Sequence, residues 1–147
     1  MEIRIDNKGF ELGGHRFAHD FYWIDEETHN SISAGKSLSS GELCKWLFGK
    51  WANALRGIDA ENSPMFLPFA PEDEWIECFR ADFQDGMIKF TRVDVAEGGH
   101  EFPWNDIEGF ITSPHEILDT AYTEFADFDK DELLAALQNP DVVDYEE

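Results

Sequence analysis

Residues 75–95 constrain this chain more than any other stretch. Trp75, Glu77, Phe79, Ala81 and Phe83 alternate with Ile76, Cys78, Arg80 and Asp82, and Met87 to Val95 resumes a strand-like run after Asp85-Gly86. Aspartate and glycine tolerate the left-handed backbone that a two-residue hairpin turn requires, so the segment reads as two antiparallel strands. Gly98-Gly99 ends the second of them.

A second hairpin is expected at the N-terminus, where Ile3 and Ile5 alternate with polar neighbours, Asn7-Lys8-Gly9 turns the chain, and Phe10 to Leu12 returns. Gly13-Gly14 breaks it, and the aromatic run Phe17 to Ile24 reads as a third strand. Asp25 to Leu38 holds three consecutive acids, three serines and Gly35, which is loop composition. Met65 to Phe69 is a short apolar run bounded by Pro68 and Pro71, and Phe102 to Phe110 fits either a strand or an irregular loop.

Helix signals are explicit at three places. Ser39 and Glu42 stand in the S-x-x-E relation of a capping box, and Leu43, Trp46, Leu47, Trp51, Ala54, Leu55 and Ile58 recur at helical spacing until Gly57 interrupts. Ser113-Pro114 with Glu116 repeats the signature ahead of Ile117, Leu118, Ala121, Tyr122 and Phe125. Asp129 with Glu132 starts a last helix carrying Leu133, Leu134 and Leu137, which Asn139-Pro140 stops. The expected fold is a single α+β domain over residues 1–147: an antiparallel sheet with one long central helix and two C-terminal helices packed on it.

Charge narrows function. The 147 residues carry 32 acids and 11 bases, a net −21; residues 71–147 hold 22 of the acids and four of the bases, so the net charge is −3 before Pro71 and −18 from it onward. Such a field favours cationic partners and disfavours nucleic acid and anionic membrane. Thirteen Phe and five Trp are too much large apolar material for a disordered acidic chain and argue against a purely halophilic cause of the acidity. Cys44 and Cys78 lack any CxxC or Cys/His spacing and are expected as buried reduced thiols. The first residues form neither a charged n-region nor an apolar h-region, no apolar run approaches membrane-spanning length, and a cytoplasmic protein is expected. Self-repulsion favours a monomer.

Chemistry is poorly signposted. His15 and His19 share the i, i+4 spacing of a helical metal site, but their aromatic surroundings read as strand, where the two lie about 13 Å apart. Asp127, Asp129 and Asp131 imitate half of a calcium loop; Glu132 replaces the required glycine and Gln138 the closing glutamate, and an N-cap with acids in the first helical turn explains the same letters. Serines 31, 33, 37, 39 and 40 lack a nucleophile elbow, and Gly35-Lys36-Ser37 lacks the upstream glycine of a phosphate loop. No catalytic residue, metal ligand or cofactor is expected.

The segment Pro64 to Val95, with its FLPF run, following acids and strand hairpin, resembles small bacterial proteins encoded beside polymorphic toxins, the immunity proteins of contact-dependent growth inhibition systems. That resemblance implies a protein that binds and neutralises a cognate toxin C-terminal domain, many of which are basic nucleases, by covering a cationic groove with carboxylates and aromatic anchors. Candidate partner-binding residues are Glu72, Asp73, Glu74, Trp75 and Glu77, an acid cluster after two prolines, and a second patch of Asp127, Asp129, Asp131 and Glu132. Trp75 also reads as a core residue of its strand. The alternatives are an acidic regulatory adaptor or nucleic-acid mimic, and a small metal-dependent enzyme built on His15 and His19.

Overall fold

A computed structural model describes residues 1–118 and 123–143. Eight strands and four helices follow one another as β1 (Arg4–Ile5), β2 (Gly9–Leu12), β3 (His15–Ala18), α1 (Glu26–Ser33), α2 (Ser40–Leu55), β4 (Met65–Pro71), β5 (Ile76–Gln84), β6 (Met87–Val95), α3 (Ile107–Thr112), β7 (Thr123–Asp129), α4 (Lys130–Gln138) and β8 (Asp141–Val142). The fold is α+β, but the strands divide into two four-stranded sheets, ordered β3-β2-β1-β8 and β4-β5-β6-β7. All pairings are antiparallel except that of β1 with β8.

The central hairpin folds as its letters dictate. Asp85 and Gly86 both take positive φ, 51° and 77°, and Gln84 pairs with Met87 across the turn. Its two faces are both covered, however: Ile76 and Cys78 are as buried as Phe79 and Ala81. α2 begins with the expected reciprocal cap, Glu42 N–H donating to Ser39 Oγ at 3.2 Å while Ser39 N–H reaches Glu42 Oε1 at 3.4 Å. Its buried stripe of Leu43, Leu47, Phe48, Trp51 and Leu55 meets β4, α3 and α4, and Phe10, Phe69 and Phe79 gather around Trp51 with ring centroids 5.6 Å (Phe10 to Phe69) and 4.7 Å (Phe69 to Phe79) apart. Cys44 and Cys78 are free and buried, and burial pushes both thiols well above their ordinary range.

Four expectations are corrected. Asp25 to Leu38 is not a loop throughout, because Asp25 caps α1 by accepting from Thr28 N–H at 2.6 Å, and Glu26 and Glu27 lie in the first turn where the helix dipole favours them. The strand expected over Phe17 to Ile24 ends at Ala18, since Asp20 accepts from Tyr22 N–H at 2.8 Å and turns the chain. Phe102 to Phe110 becomes a turn leading into α3, capped by Asp106. The helix expected from Ser113 does not form: Ser113 Oγ donates to Gly109 O at 2.6 Å and so closes α3, and Thr123–Asp129 is a strand on β6. Ala121 and Tyr122, in that expected helix, lie outside the described residues. The result is a central helix with one helix following β7, where two C-terminal helices were expected.

β4 carries a bulge between Pro68 and Ala70, and its carbonyls find partners elsewhere. Trp51 Nε1–H donates to Pro68 O at 3.0 Å in the core, and Asp20 N–H donates to Phe69 O at 3.1 Å. Trp51→Phe leaves the Pro68 carbonyl buried without a donor and opens a small void, for an expected loss of about 3 kcal/mol in urea unfolding. Tyr22→Phe, at a side chain 80% exposed, should stay within about 0.5 kcal/mol of the parent.

Candidate acidic binding site

The turn between β4 and β5 carries Glu72, Asp73, Glu74 and Trp75, and it is held by the backbone. Glu72 N–H donates to Trp75 O at 2.7 Å, and Gly99 N–H donates to Glu72 O at 2.6 Å. The second contact requires glycine, since a Cβ at Gly99 would stand 2.3 Å from Glu72 O and 2.9 Å from Trp23 Cδ1. Gly98-Gly99, which the sequence marks only as a strand end, therefore clamps the acidic turn onto Trp23, whose ring also faces His100 at 6.0 Å.

Glu77 stands opposite Asp94 in the β5–β6 ladder, and like charges in that relation repel. Both side chains are half-buried, and Asp94 Oδ1 is occluded with no hydrogen-bond partner. Arg92 pairs with Glu77 and is the cation acting on both. Burial pushes the carboxyls of Glu72, Glu77 and Asp94 above the ordinary carboxylate range; Asp20, Glu77, Asp73 and Asp94 push Glu72 further, and Asp94 and Asp20 push Glu77, against the pull of Arg92. The rim thus gathers five carboxylates, of which Glu72 and Glu77 feel the others, beside Trp23, Trp75 and His100.

The first expected cluster is brought together here. Asp73 and Glu74 are exposed, Glu72 and Glu77 half-buried, and Trp75 is 37% exposed, ahead of β5 rather than in the core as its alternation suggested. Asp20, Asp94 and Trp23 were missed. The Asp94 placement follows from the Asp85-Gly86 turn, which fixes the register that sets Glu77 against it; Asp20 is delivered by the β4 bulge, for which the sequence has no signal.

The second cluster lies elsewhere. Asp129 pairs with Met87, at the far end of the hairpin from Glu77, about 25 Å away at strand rise. Asp129 accepts from Glu132 N–H at 3.0 Å and caps α4, Asp131 and Glu132 occupy its first turn, and Asp127 is exposed on β7. His19 is buried with Nε2 2.8 Å from Asp6 O, whereas exposed His15 packs on Phe125; among the described residues no three His, Cys, Asp or Glu side chains are arranged to hold a metal. No helix among them is long and apolar enough to cross a membrane.

Raised carboxyls bind protons more readily in the folded than in the unfolded chain, so the rim costs stability at neutral pH and that cost fades as pH falls through the upper carboxylate range. Asp94→Asn should therefore unfold at a higher temperature than the parent at pH 7, with the difference shrinking toward about pH 4. Comparing the two proteins at each pH cancels His19, which burial holds below its ordinary range and which opposes the trend in both. Asp6, held at about 2 chiefly by Arg16, adds a separate loss common to both proteins as pH falls from about 4 to about 2.

No protein-family model, curated protein or solved structure matches this chain.

Proposed function

We propose that this protein is an immunity protein: a monomeric, cytoplasmic inhibitor that binds the C-terminal domain of a cognate, basic nuclease-type toxin and blocks it without catalysis or cofactor. The observation that supports this most is the carboxylate rim of Asp20, Glu72, Asp73, Glu77 and Asp94, in which like charge bears on Glu72 and Glu77 in the free protein. An arginine- or lysine-bearing surface relieves that repulsion on binding, so part of the affinity comes from a cost already present in the unbound state. Trp75 and Trp23 beside the rim supply flat apolar area for the aliphatic stems of those cations and for cation–π contact.

The carboxylates of Asp127, Asp129, Asp131 and Glu132 have a local role at the start of α4, and at their distance they contribute steering through the field instead of joining the same contact.

The decisive experiment pairs this protein with the C-terminal domain encoded by the gene directly upstream. A tight one-to-one complex is expected, with an association rate that falls steeply as salt rises. Reversing Glu72, Asp73 and Glu74 together to lysine should weaken the complex at least about tenfold, by removal of steering and close charge pairs. The same triple reversal in place of Asp127, Asp131 and Glu132 should change the association rate by only a few-fold. Equal losses from both triples, or an upstream gene with no binding product, would sink this reading in favour of a regulatory adaptor.

A further inference from the structure

α2 borders a groove of about 800 Å³ whose apolar lining is Ile32, Leu38, Trp46, Leu137 and Val142. Its charge is opposite to that of the rest of the molecule: Lys45, Lys50 and Arg56 line it, three of the chain's 11 basic residues, against the single acid Glu42. In a chain with 32 acids a cation ordinarily finds a carboxylate. Among the described residues these three make no ion pair: Lys50 Nζ lies 5.9 Å over the Trp46 ring and Arg56 donates to Asn53 Oδ1 at 2.7 Å.

Gly49 is the second, independent observation. It sits in the middle of α2 and lines the same groove, and a Cβ added there would meet nothing within 4 Å. Glycine weakens a helix interior relative to alanine, and nothing among the described residues packs closely enough to require it. A missing side chain facing an open groove is what the close approach of another backbone demands.

We propose that this groove docks an acidic, amphipathic segment of a partner polypeptide. Its main chain lies over Gly49, its apolar side chains enter between Trp46, Leu38 and Leu137, and its carboxylates meet Lys45 and Arg56. Lys45 on α2 and Arg56 just after its last residue are eleven residues apart, about 16 Å along the helix axis, which an extended segment spans in about five residues. A short peptide suits the site better than nucleic acid or an anionic membrane, since either of those carries negative charge far beyond the groove into the field of a −21 protein. The site shares no residue with the carboxylate rim and stands whether or not the toxin reading does.

The test titrates ¹⁵N-labelled protein with a synthetic peptide of about ten alternating glutamates and leucines. Saturable shifts are expected at the Trp46 indole N–H and the Gly49 amide, with the Trp75 indole unmoved. Lys45→Glu combined with Lys50→Glu should weaken binding at least tenfold, and Gly49→Leu should do the same while Gly49→Ala melts at or above the parent temperature. Equal affinity for a lysine–leucine peptide would overturn the charge argument, and equal affinity for a glutamate–serine peptide would overturn the apolar one. Shifts of the same signals on concentrating the protein alone would make the occupant a second copy of this chain and overturn the proposal, as would the absence of shifts with the glutamate–leucine peptide.

Discussion

The bulge in β4 is the constraint on which the rest of the molecule depends. A fully buried strand cannot leave carbonyls unpaired without a cost comparable to a lost hydrogen bond, and the register shift between Pro68 and Ala70 removes the ladder partners at that point. Trp51 and Asp20 replace them, one from the central helix and one from the turn that follows β3. The same irregularity therefore ties both α2 and the N-terminal sheet to the β4-β5-β6-β7 sheet. Phe10, Phe69, Phe79 and Trp51 fill the space so defined, meeting edge to face in four pairs: Phe10 with Trp51, Phe69 and Phe79, and Trp51 with Phe79.

The acidic rim is a consequence of that arrangement and is not explained by packing. Asp20 N–H must reach the bulge, which brings the Asp20 carboxylate toward the β4–β5 turn; the two-residue hairpin turn sets Glu77 against Asp94; and Gly99 presses Glu72 into the same region. Three separate backbone requirements converge on one patch of like charge. Lysine or threonine at one of these positions would relieve the repulsion. The cost is borne where a cationic surface would offset it.

Much of the fold was legible because some signals act through local backbone chemistry alone. Asp85-Gly86 determined its hairpin and register, and Ser39 with Glu42 determined the start of α2, since neither depends on distant residues. Signals that need a distant partner failed. Ser113 carries the same S-x-x-E letters as Ser39, yet the last turn of the helix before it presents the Gly109 carbonyl, which already accepts from Thr112 Oγ1, and the Ser113 hydroxyl donates backward to it instead of accepting forward. Three acids at Asp25 to Glu27 resemble solvated loop until the apolar side of Ile32 finds the core, at which point the same letters become a cap and a first turn. Trp75 alternates as a core residue and is displaced because the turn, and not the strand, claims it.

Net charge is a poor guide to any single surface of such a molecule. At physiological salt the field of a charge decays over about 8 Å, so a ligand responds to the side chains within roughly that distance of it. The span of about 16 Å from Lys45 to Arg56 is two such lengths. A segment lying between them feels those cations and Lys50 against Glu42 in the groove itself, with Asp25, Glu27, Asp106 and Glu108 in the adjoining pocket that shares Ile32, Trp46 and Lys50. Long-range acidity governs which molecules approach and how fast; local composition governs what stays. One chain can therefore attract a basic partner to its rim and hold an acidic segment in the groove over α2, with each contact indifferent to the other except at low salt.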